Sequence, residues 1–182
     1  MNNVSLMDWL LWYFGSCLSG TPTGMIVNFY GETNAKHTLV NLMKTIFGSY
    51  YTPLPKTLLT NNKNTLDGRA YSSLSGKRLA SIDLEDEKIK LKSSALLTLT
   101  KASFSPLLLS GNKIIVSGIS SGGKLSVCYV PFIKKTSDND YSADDLVSEA
   151  PGILGILVQY SQKYIQNEYK LPQCSEVKVV VV

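Results

Sequence analysis

A chain of 182 residues with 44% apolar and 18% charged side chains can bury one sizeable core, which excludes a disordered or acidic-tailed chain. Its net charge of +4 and pI near 8.9 permit a polyanionic partner without requiring one. No apolar run reaches the length of about 18 residues needed to cross a bilayer. Cys17, Cys128 and Cys174 are odd in number and lack metal-ligand spacing, so reduced, cytosolic thiols inside the fold are expected rather than zinc or disulfides.

Helical periodicity over residues 6–18 is closed by Ser19, Gly20 and Pro22, and predicts a buried amphipathic helix rather than a signal peptide. The apolar run Met25–Tyr30 reads as a strand. A helix is expected over residues 39–47, stopped by Gly48. Residues 52–60, TPLPKTLLT, read as an extended linker, residues 61–64 as a polar loop, and residues 66–74 as a short helix. Residues 77–83, KRLASID, read as a buried strand ending in acids.

Residues 89–97 are expected to be helical, and the LLLS run within 104–110 to be a central strand. Residues 117–123, SGISSGG, read as a turn, and residues 125–132, LSVCYVPF, as a strand. Residues 138–145 form a charged loop before a helix over 152–166, with Pro151 at its first position. The valine-rich tail over 177–182 is strand-like and calls for a partner along its edge. Strands separated by helices argue for an α/β sheet covered on both faces.

The candidate chemistry starts at residues 31–38, GETNAKHT, between an apolar strand and a helix. Backbone N–H groups at a helix start, a lysine and a hydroxyl are what a triphosphate and its Mg²⁺ require. The pattern G-x-x-x-x-G-K-S/T is met imperfectly. Counted from Lys36 the loop is one residue short, with Ala35 at the second glycine and His37 after the lysine; counted from Thr38, His37 stands at the lysine position. A second element is Asp83 at a strand end, with Glu85 close behind, as an acid for metal or water. The competing reading is an acidic first turn capping a helix. A third is Asn112 after LLLSG, placed to sense a γ-phosphate, or else part of an ordinary turn.

Taken together and in this order, these elements resemble the superfamily-3 helicase domain of poxvirus-, phage- and plasmid-type primase–helicases. NFYGETNAKHTLVNLMKTIFGSYYTPLP is similar to that family's phosphate loop and following helix, SGKRLASID to its acidic strand, and LLLSGNK to its sensor strand. VCYVPF resembles its Pro-Phe strand, and EAPGILGILVQYSQKYIQN its closing helix.

The resemblance implies an α/β three-layer P-loop NTPase (AAA+-like) with a central, mostly parallel sheet. Residues 1–22 would be a helical lead-in and 23–182 the ATPase domain. It implies ATP and Mg²⁺ as ligands, with Gly31, Asn34, Ala35, Lys36, His37 and Thr38 around the phosphates, Thr38 and Asp83 at the metal, and Asp83 or Glu85 and Asn112 as catalytic groups. It further implies a hexamer acting on single-stranded DNA in the host-cell cytoplasm, without a membrane.

Three departures weaken the expected hydrolysis. The phosphate loop is short, and a β-carbon at Ala35 is strained if that position needs a positive φ. No arginine follows Arg78, so the family's arginine finger has only Lys124 in its place. The segment LTKASFSP leaves little room for the family's DNA-contacting hairpin, with Lys101 its one cation. Lys88, Lys90 and Lys92 alternate with Ile89 and Leu91 and do not share a helical face; with Lys134 and Lys135 they are read as solvated surface before nucleic-acid contacts.

Overall fold

In the computed structural model, residues 4–21, 23–31, 35–60, 72–84, 88–102, 106–117, 125–133 and 143–181 are described. Helix α1 (Leu6–Ser19) starts where the Ser5 hydroxyl accepts from the Asp8 N–H at 3.2 Å. It ends at Gly20 in the left-handed region. Strand β1 (Met25–Tyr30) leads to α2 (Ala35–Phe47), a 3₁₀ turn (Gly48–Tyr50) and β2 (Tyr51–Pro53). A four-residue helix α3 (Thr57–Thr60), β3 (Leu79–Asp83), β4 (Lys88–Lys92) and α4 (Ser93–Ala102) follow. The chain then forms β5 (Leu107–Ser110), β6 (Lys113–Ser117), β7 (Ser126–Pro131), α5 (Ala143–Ser148), α6 (Ala150–Gln166) and β8 (Lys178–Val181).

Six strands form one sheet in the order β2-β3-β5-β1-β7-β8, parallel except for β8, which runs antiparallel to β7. The short parallel pair β4–β6 stands apart from it. Parallel strands are buried on both faces and so read as continuous apolar runs, as β1 and β5 do. One face carries Val27, Phe29, Leu108, Cys128 and Val130 against α1, α2, α5 and α6. The other carries Ile26, Ala80, Ile82, Leu107, Leu109 and Val127 against α3, α4 and the β4–β6 pair. The mixed α/β class and the mostly parallel sheet covered on both faces are therefore as expected. Helix α1 belongs to the same core: a β-carbon on Gly15 would lie 2.7 Å from Tyr160 Cβ and 2.9 Å from Ser161 N, so glycine lets α1 and α6 touch backbone to backbone.

Some expectations need correction. The segment 52–60 is not a plain linker, because it contains β2 and α3. Proline is tolerated there since β2 is a sheet edge. Residues 89–97 are not one helix; they are the end of β4 followed by α4. Helix α2 begins at Ala35, four residues before the expected start. Ala35 does not adopt positive φ, so the strain expected from its β-carbon is absent. Of the expected helix over 66–74 only residues 72–74 are described, and they are helical. Of the turn expected at 117–123 only Ser117 is described, as the end of β6, and of the loop expected at 138–145 only residues 143–145, which begin α5 instead. Cys17, Cys128 and Cys174 are free and buried, and no described helix is long and apolar enough to cross a membrane.

Candidate functional site

The chain leaves β1 and then fills the sheet on both sides of it, with β5 on one flank and β7 on the other. In open α/β sheets, ligands bind beyond the carboxyl ends of strands at such a switch point. Gly31 sits there with φ 129°, and a β-carbon on it would fall on the Phe132 carbonyl oxygen. The Phe132 N–H donates to the Tyr30 carbonyl at 2.7 Å, which holds the two strand ends together. Only glycine fits this approach.

Across the gap to β5, Asn112 Oδ1 accepts two donors: the Gly31 backbone N–H at 2.7 Å and Lys36 Nζ at 3.2 Å. Lys36 lies in the first turn of α2 and is only 3% exposed, so its ammonium is held inside the protein, where a charge is tolerated only with partners. Asn112 is itself positioned by its neighbours. The Gly111 N–H donates to the Phe29 carbonyl at 3.0 Å, and Asn28 Nδ2 donates to the Gly111 carbonyl at 3.2 Å.

One strand further over, Asp83 pairs in register with Ser110. Its Oδ2 lies 3.7 Å from Nδ1 of His37, with both side chains about half exposed. Thr38 is partly buried in the first turn of α2. Thus Gly31, Lys36 and Asn112 meet directly, and His37 meets Asp83 one residue along the same helix. Asn34, Glu85 and Lys124 lie outside the described residues. Arg78 packs its guanidinium against Gly20 at the carboxyl end of α1.

Two residues escaped the sequence reading. Asn28 is 1% exposed in the middle of an apolar strand, and Ser110 closes β5 at 5%. Asn28 Oδ1 and Ser110 Oγ are buried without a hydrogen-bond partner. A polar residue inside the run MIVNFY was the available signal, because burying an amide is costly unless something uses it. Ser110, with Asp83, Ser81, Tyr51, His37 and Lys44, lines a cavity of about 480 Å³ between α2 and the ends of β2, β3 and β5. The Tyr51 and Ser81 hydroxyls hydrogen-bond to each other in its wall.

The C-terminal region of NrS-1 has this fold. Two apo structures of it superpose with TM-scores of 0.55 and 0.52, at 13% and 15% identity over 93% and 92% of this chain. This chain spans about half of their length, 53% and 52%. At that identity the likeness concerns architecture alone. No family model and no curated protein matches the sequence.

Chemically, the site brings a backbone donor and the buried Lys36 amine, from the first turn of α2, to one point, and that point suits an anionic oxygen. A carboxylate and a hydroxyl-bearing helix turn stand nearby. Among the described residues no group of three or more His, Cys, Asp or Glu side chains gathers.

Proposed function

We propose that this chain is an ATP-binding domain of the helicase type, from a viral or mobile-element DNA replication protein, with weakened hydrolysis. The observation that carries the reading is the double acceptance by Asn112 Oδ1 of the Gly31 N–H and Lys36 Nζ, beside Asp83, at the carboxyl ends of parallel strands. A neutral amide oxygen is a weaker acceptor than a phosphate oxygen for the same two donors. ATP therefore displaces Asn112 from them and leaves its amide to turn toward the γ-phosphate.

In this reading Lys36 contacts the outer phosphates, and the backbone of Gly31, Asn34 and Ala35 lines the phosphate loop. Thr38 and Asp83 hold Mg²⁺, which neutralises charge on the phosphate oxygens when bound. Asp83 or Glu85 orients the attacking water, and Lys124 takes the place of a trans-acting arginine. Subunits of a homo-oligomer, a hexamer by resemblance, share the nucleotide and couple turnover to movement on single-stranded DNA.

Two observations favour slow chemistry. His37 lies against Asp83 and competes with a metal for its carboxylate. No arginine follows Arg78, and an arginine finger is worth about 10³–10⁵ in rate. The same pair of facts supports a second reading, a catalytically silent relative that binds nucleotide only to assemble.

Thermal denaturation with increasing ATP–Mg²⁺ tests the site. Native-state binding at 100-fold excess over Kd adds about 2.7 kcal/mol. Lys36→Ala abolishes that gain, and an undiminished gain in the variant rules the site out. Phosphate release separates the two readings: slow turnover supports the first, and nucleotide-dependent assembly without turnover supports the second.

A further inference from the structure

The segment KIKLK over Lys88–Lys92 is a strand, and its period of two places alternate residues on opposite faces. It pairs in parallel with KIIVS in the register Lys88↔Lys113, Ile89↔Ile114, Lys90↔Ile115, Leu91↔Val116, Lys92↔Ser117. Register partners share a face. Positions 88, 90, 92, 113, 115 and 117 therefore make one face of the ribbon, and four of these six are lysine. On the opposite face Leu91 is fully buried, and Ile114 and Val116 pack against the same core as Ile82 and Leu109. Outward, Lys90 is exposed and Ile115 is 38% exposed.

The buried face makes the lysine face obligatory. Slipping β4 by one residue would drive its lysines into a leucine core, so the register is strongly specified. Neither strand contains an acidic residue. The acidic triplet 85–87 precedes β4 and lies outside the described residues. The ribbon also grows from the candidate site itself, since β4 follows the strand ending in Asp83, and β6 starts at the residue after Asn112.

We propose that the outer face of the β4–β6 ribbon binds the sugar–phosphate backbone of single-stranded nucleic acid. Alternate residues of a strand recur about every 6.6 Å, close to the spacing of successive phosphates along an extended strand. Lys90 and Lys92 therefore match consecutive phosphates, and the register sets positions 88 and 113 on the same face. Ile115, exposed next to Lys90, offers apolar contact to an unstacked base, which a duplex would keep hidden. The proposal deepens the DNA-binding part of the reading above by naming its surface, but it does not need the nucleotide site.

The test is fluorescence anisotropy of labelled oligo-dT with the full chain, without nucleotide, across a salt series. Backbone contacts to a single strand give a log–log salt slope of about −0.7 per phosphate. The pair Lys90→Gln with Lys92→Gln should flatten the slope by about 1.4. Adding Lys88→Gln and Lys113→Gln should flatten it by about 2.8. A control of equal charge change, Lys170→Gln with Lys178→Gln on the far part of the chain, should leave it unchanged.

Wild-type affinity in the ribbon variants overturns the proposal. So does equal loss in the control, tighter binding of duplex than of oligo-dT, or no binding of oligo-dT at low salt, the result expected of a face made for an acidic protein. Unchanged thermal denaturation of the ribbon variants excludes misfolding. Lys36→Ala keeps oligo-dT binding. An absent ATP response with intact ribbon behaviour thus sinks only the nucleotide reading, and the converse sinks only this one.

Discussion

The sheet face under α1 and α6 and the crown of strand ends above β1, β3 and β5 both bury side chains, yet they are built from opposite materials. Under the helices, Phe14 meets Phe29 edge-on at 6.3 Å, Tyr13 lies against Phe14 at 5.2 Å, and both helices close on Gly15. At the crown, Asn28, Lys36 and Ser110 are 1%, 3% and 5% exposed, and two of the three partnerless buried atoms found in the described residues lie there. Apolar burial is stabilising wherever shapes match, at roughly 25 cal/mol per Å². Polar burial costs free energy unless every group is satisfied. The first region keeps the chain folded, and the second is kept at a cost in stability.

Substitutions separate the two regions. Phe14→Ala, in the apolar layer, should cost about 3–5 kcal/mol, read as a lower urea midpoint at unchanged m-value. The ATP response of the folded protein should persist, and its loss would mean that the regions are not separable. Asn112→Ala strips a shared acceptor from Gly31 N–H and Lys36 Nζ and should cost about 1–3 kcal/mol. Because the same change takes away an acceptor that ATP has to displace, the thermal shift with ATP–Mg²⁺ should grow rather than shrink. A smaller shift would show that the contact of Asn112 with bound nucleotide outweighs the displacement of its own hydrogen bonds.

Alkaline pH should act on the apolar layer. Burial pushes the Cys128 thiol up to about 11 and raises Cys17 further still. Thiols so raised contribute stability that is complete below the unfolded value near 8.5 and is lost as pH climbs toward the folded value. Each thiol can remove up to about 1.4 kcal/mol per pH unit in that window. Cys128→Val should flatten the decline of melting temperature between about pH 8.5 and 11, and an unaltered decline would refute the assignment. The smallest effect belongs to Ser110→Ala. Removing a buried hydroxyl that has no partner lifts its desolvation penalty and should leave stability unchanged or raise it by about 1 kcal/mol. A large loss on chemical denaturation would reveal a partner for Ser110.

Much of this was legible along the chain, where one local rule governed. The strands expected at 25–30, 77–83, within 104–110 and at 125–132 are found at 25–30, 79–83, 107–110 and 126–131. The misreading of residues 89–97 arose where two rules overlap. Ile89 and Leu91 follow the period of a strand while Leu96 and Leu97 begin a helix, and the window blends them. Residues 51–53 were obscured by prolines that an edge strand accommodates. Within the candidate site, Gly31, Lys36, Asp83 and Asn112 stood out by type and order. Asn28 and Ser110 did not, because what sets them apart is burial, which depends on the packing of other segments.

On its own, the order of residues marked the central strands and the local chemistry: a glycine after a strand, a lysine at a helix start, an acid ending one later strand and an amide just beyond another. Periodicity and turn stereochemistry act over a few residues, so they can be read without knowing the fold. What only the tertiary structure decided was who meets whom. Asn112 reaches Gly31 and Lys36 across 81 and 76 residues because β5 docks beside β1, and KIKLK becomes a lysine face because β4 finds β6. Such pairings follow from burying whole sheet faces at once, a collective free energy that no local stretch of sequence contains.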